Sequence, residues 1–133
     1  MSESKHGELA IPTAARPLWD ELMQQPLLPV HELYEQLSDY EAELAKRRRS
    51  RDPDVDATLA RELVVACRRL LDTLSKQTPP HTQHMVQAAV RYFIIEDDAE
   101  ADLDSILGLD DDAEVVNAVL QKLGYIDWMV EQQ

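Results

Sequence analysis

A chain of 133 residues and 15.2 kDa, 44% hydrophobic and 29% charged, has the size of one domain and can bury roughly two thirds of its unfolded surface. Only 3 glycines and few β-branched runs speak against a sheet, and a net charge of −13 speaks against direct DNA or RNA binding, because such affinity comes mostly from Lys and Arg displacing counterions. One cysteine, Cys67, excludes an internal disulfide, and without a signal-like opening or an apolar run near the ~20 residues of a membrane span, a cytoplasmic protein is expected.

Residues 1–16 are polar and aperiodic and read as a flexible tail from which Ile11 alone can dock; residues 17–133 read as one helical domain. Pro17 suits a first helical turn, Leu18, Trp19, Leu22 and Met23 give one apolar face, and Pro26 ends it. After a Leu27 to Pro29 connector, Val30, Leu33, Tyr34, Leu37 and Leu44 mark a long helix to about Arg49, with Tyr40 and Glu41 interrupting its seam and leaving it open to water. The basic run Lys46, Arg47, Arg48 and Arg49 falls at that helix's end, where positive charge is favourable against the dipole; Arg51 follows.

Asp52 and Pro53 are a helix-start pair, and Leu59, Leu63, Val64, Cys67, Leu70, Leu71 and Leu74 trace the stripe expected of the central core helix. Thr78, Pro79 and Pro80 break it. Met85, Val86, Ala89, Val90, Phe93 and Ile94 form the next helix, Leu103, Ile106 and Leu107 a short one, and Val115, Val116, Val119, Leu120 and Leu123 the last. Gly108 is expected to turn the chain between those two, with Asp110, Asp111 and Asp112 capping the last helix and opposing its positive end. Gly124 is the expected C-cap, beyond which Tyr125, Ile126, Trp128, Met129 and Val130 are apolar enough to fold back on the bundle or bind a second chain. The expected fold is all-α, a compact orthogonal or irregular bundle of about six helices, some short.

The order Tyr92, Asp98, Asp102, Gly108, Asp111 and Asp112, within 88–120, resembles the signature of the YkvA-like domain family, an aromatic followed by a D-x-x-x-D pair, a glycine and a D-D pair. Where the family usually carries prolines this chain has Glu96 and Ala101. The resemblance implies a helical domain and no established activity.

Most catalytic chemistry fails on the residues themselves. No phosphate loop, G-x-S-x-G elbow or H-E-x-x-H is present, and Cys67 lies on an apolar face. His81 and His84, three apart, suggest no third ligand, and His6 and His31 have no visible partners. Asp98, Glu100, Asp102 and Asp104 alternate as in an EF-hand loop, but Leu103 stands where the loop needs glycine and Leu109 where it needs the bidentate Glu. A helix-turn-helix would open its reading helix with carboxylates.

From Thr78 to Gln133 there are 12 acidic and 2 basic residues, a balance of −10. The expectation is a non-enzymatic interaction or regulatory module whose acidic C-terminal half meets a basic surface on another protein, with no resident cofactor. Two alternatives stand beside it. Asp98, Asp102, Asp111 and Asp112 could together offer hard oxygen ligands to Mg²⁺ or Ca²⁺, in a metal-binding domain or metal-dependent enzyme, or the Tyr125–Val130 segment could join a structural homodimer.

Overall fold

Apolar side chains three and four residues apart need a helical backbone to reach a common face, and the computed structural model is helical throughout, with no strand among the described residues. It describes the backbone of residues 9–50, 55–99 and 106–130, and the side chains of these except 47–50, 55–57, 96–99 and 106–110. Five α-helices follow in order: α1 (Arg16–Met23), α2 (Val30–Ser50), α3 (Val55–Asp72), α4 (Pro80–Ala99) and α5 (Ile106–Leu123). Single 3₁₀ turns at Thr13–Ala15 and Ile126–Trp128 flank them. No described helix is long and apolar enough to cross a membrane.

The helix at the centre is α4, not α3 as its broad stripe suggested. It touches α1, α2, α3 and α5, and Met85, Val86, Gln87, Ala88, Ala89 and Val90 are buried in succession. A helix covered on every side has no polar face to sharpen its period, which is why the one-sided stripe of α3 looked more central. Ala88 and Ala89 add little bulk, so neighbouring backbones can come close there.

Three further expectations change. Tyr40 does not wet the seam of α2: it is buried with its ring edge on Phe93 of α4, centroids 4.7 Å apart at 66°, a favoured aromatic geometry. The seam runs Leu33, Leu37, Tyr40, Leu44, and Glu41 turns outward to accept from Arg68 of α3 at 3.0 Å. The end of the expected tail is ordered onto the bundle, because Ile11 docks as expected and Ala15 is buried too, closing a 3₁₀ turn onto α1; residues 1–8 lie outside those described.

The third change is the largest. Gly108 does not turn the chain between two helices; it lies inside α5, which runs unbroken from Ile106 to Leu123. One interior glycine costs a helix roughly 1 kcal/mol, far less than the burial of Ala113, Val115, Val116, Val119 and Leu120 on the same helix returns. Asp110, Asp111 and Asp112 therefore cannot cap the start of α5, which lies before them. The Asp52–Pro53 start and Leu103 lie outside the described residues.

Candidate functional site

Gly124 takes φ +90 and ends α5 in a Schellman motif, its own N–H donating to Gln121 O at 3.2 Å and the next N–H, of Tyr125, to Leu120 O at 2.8 Å. That reversal sends residues 125–130 back along the bundle. Asn117 then holds the returning segment: its Nδ2 donates to Val130 O at 2.8 Å and its Oδ1 accepts the Val130 N–H at 2.7 Å. Trp128 stacks on Tyr125, ring centroids 4.4 Å apart at 8°, and the Arg69 guanidinium lies 5.5 Å from the indole centroid.

Between this segment and the outer face of α3 lies an open groove of about 630 Å³. Val65, Trp128 and Met129 supply its apolar surface, while Arg61, Glu62, Arg69 and Asp127 supply both signs of charge. The 125–130 segment is marked as apolar in the sequence, whereas the groove is not, because the inward stripe of α3 dominates its pattern. The outward spacing Arg61, Val65, Arg69, four residues at a step, was the available signal.

A second buried amide does for the other end what Asn117 does for this one. Gln87 of α4 accepts the Leu28 N–H at 2.8 Å and donates to Pro26 O at 3.0 Å, and one turn on Arg91 donates to Gln25 at 2.6 Å. The α1–α2 connector is thus tied to α4 by side chains that satisfy its backbone, as a proline-containing link must be tied where it lies against a core.

The carboxylate set is only partly within view. Asp102 and the Asp98 side chain lie outside those described. Asp111 and Asp112 are neighbours on one helix and so point about 100° apart; Asp111 is half-exposed whereas Asp112 is buried at 1% exposure. Tyr92, the aromatic of the motif, is buried on α4. Among the described residues no group of three or more His, Cys, Asp or Glu side chains converges as a metal site, and His81 is exposed with His84 half-buried.

Cys67 is fully buried on α3, as expected of a core residue. Burial pushes its thiol far above the usual range, and the nearby Asp112 carboxylate pushes it further, against a smaller opposing effect of Arg68. A thiol so held carries no thiolate near neutrality and cannot serve as a nucleophile. At the surface Tyr34 donates to Asp72, linking α2 to the end of α3. The chain matches no protein-family model, no curated protein and no solved structure.

Proposed function

We propose that this protein is a non-catalytic interaction module whose acidic C-terminal half binds a basic surface on another protein. The observation that carries the reading is the solvent side of α5. Asp111 and Glu114, three residues apart and hence neighbours on the helix surface, are half-exposed and exposed, and neither makes an ion pair among the described residues. They sit in the part of the chain that carries a −10 balance after residue 77, which favours a partner of opposite charge. The resemblance of Tyr92, Asp98, Asp102, Gly108, Asp111 and Asp112 to the YkvA-like domains belongs to the same proposal, as a divergent member with a helical binding fold.

The test is capture from the native host on the immobilised full chain, followed by identification and measured affinity at several salt concentrations. A partner with a clustered Lys and Arg surface should bind more weakly as salt rises, and Asp111→Asn with Glu114→Gln should weaken it several-fold. Binding indifferent to both salt and that double substitution would defeat the proposal. The divalent-ion reading of the Asp set predicts something different: an ion-specific rise in melting temperature with Mg²⁺ or Ca²⁺ that Asp112→Asn abolishes.

A further inference from the structure

We propose that the groove between α3 and the 126–130 segment is the contact through which two copies of this chain associate. The inference stands apart from the basic partner, which the acidic face of α5 would take.

Arg61, Val65 and Arg69 are spaced four residues apart on α3 and so share one face, the two arginines about 12 Å from each other along the axis. Val65 between them is 48% exposed, and Ile126 at the edge of the returning segment is 62% exposed. Glu62 and Asp127 line the same groove. Among the described residues none of these four charges makes an ion pair, although acidic residues outnumber basic ones by 26 to 13 in the chain. Among the described residues the groove is lined by two cations and two anions, on a protein of net charge −13.

That balance selects the occupant. An acidic peptide would meet Glu62 and Asp127 and the repulsion of the whole chain; a basic one would meet Arg61 and Arg69. A two-fold axis that seats α3 of each copy on the returning segment of the other sets Arg61 and Arg69 against Asp127, with Val65 on Trp128 and Met129 as the apolar centre. The net charge of the chain opposes its own copy, and a groove lined by both signs does not add to that repulsion. Arginine and tryptophan are also the residues that most often anchor such contacts.

A stable interface takes about 800 Å² from each partner, roughly a tenth of this chain's 7805 Å² surface and more than the groove alone provides, so surface beyond the groove must join it. The dimer is therefore weak and concentration-dependent. Its salt response is opposite to that of a basic partner: screening relieves the repulsion between two negative chains, so association strengthens from low to physiological salt.

The experiment is sedimentation equilibrium on the full chain from roughly 10 μM to 1 mM, the range of a weak contact. The mass should rise from 15.2 kDa toward twice that value, and more readily at physiological than at low salt. Val65→Asp should stay monomeric with an unchanged helical spectrum, since its side chain is half in solvent. Arg61→Glu with Arg69→Glu, and separately Glu62→Arg with Asp127→Arg, should each be monomeric alone and associate when mixed. A native chain that stays at 15.2 kDa throughout overturns the proposal, as does a dimer that Val65→Asp leaves intact. A monomer that instead binds an acidic or a basic peptide through Val65 also overturns it, by showing a different occupant.

Discussion

Asn117 and Val130 exchange two hydrogen bonds, the side-chain amide of one pairing with both backbone groups of the other as a neighbouring strand would. Asn117 is buried on α5, so the pair is shielded from water, and each of its bonds replaces one that the free segment would make to solvent. The 3₁₀ turn at Ile126–Trp128 and the groove beside it both depend on where that pair places the chain.

Asn117→Leu keeps the volume and removes both partners. The Val130 N–H and C=O must then either stay buried and unpaired or return to water by releasing the segment, at a cost of about 1–3 kcal/mol. Urea unfolding should report that loss. Hydrogen exchange should accelerate at 125–130 before it does in α4; equal acceleration everywhere would show that Asn117 acts on the whole bundle and not on the segment.

The two glycines give opposite predictions. Gly124 sits at φ +90 with no heavy atom within 4 Å of an added Cβ, so Gly124→Ala meets only backbone strain and should cost about 1 kcal/mol. Gly108 is inside α5, where alanine is the better residue, and Gly108→Ala should stabilise by up to ~1 kcal/mol. A melting temperature that falls for Gly108→Ala would restore the turn expected from the sequence.

Cys67 should resist reagents. Its thiol is sealed on α3 and held protonated by burial and by Asp112, so an aromatic disulfide reagent at pH 8 should modify it only at the rate of global opening, and fast in denaturant. Labelling within seconds of the folded protein would contradict the packing of Leu63, Leu70 and Cys67 together. Cys67→Ala should cost roughly 1–2 kcal/mol through the small cavity it leaves.

The Tyr34 phenol is raised to about 12 by burial, by its hydrogen bond to Asp72 and by that carboxylate's charge, with Arg68 acting the other way. Its unfolded value is about 10, so the folded state holds its proton longer. The stabilisation is complete below pH 10 and is lost as pH rises through the folded value near 12. Comparing native and Tyr34→Phe stability at pH 9 and above pH 11 isolates this phenol from other groups. The gap between the two proteins should narrow or reverse at the higher pH; a constant gap would mean that the bond to Asp72 does not perturb the phenol.

The sequence by itself determined the helices of this protein. The stripes of α1, α2 and α3, the break at Thr78 to Pro80, the buried place of Cys67 and the stop at Gly124 follow from side-chain period and backbone stereochemistry, which act over a few residues and are written in the order of the chain. The return of 125–130 onto the bundle was legible as well, since so apolar a segment must be covered by something. Gly108 misled because its local preference for a turn is worth only about 1 kcal/mol, and packing along α5 overrides it. Tyr40 misled because a hydroxyl suggests water, while the ring beneath it fits against Phe93 fifty-three positions away. What only the tertiary structure decided was which helix stands in the middle, which amides reach across to Pro26, Leu28 and Val130, and that Arg61, Val65 and Arg69 face Trp128 across a groove. These are contacts between residues far apart in the chain, and they are set by the shapes and orientations of whole helices, which no local spacing records.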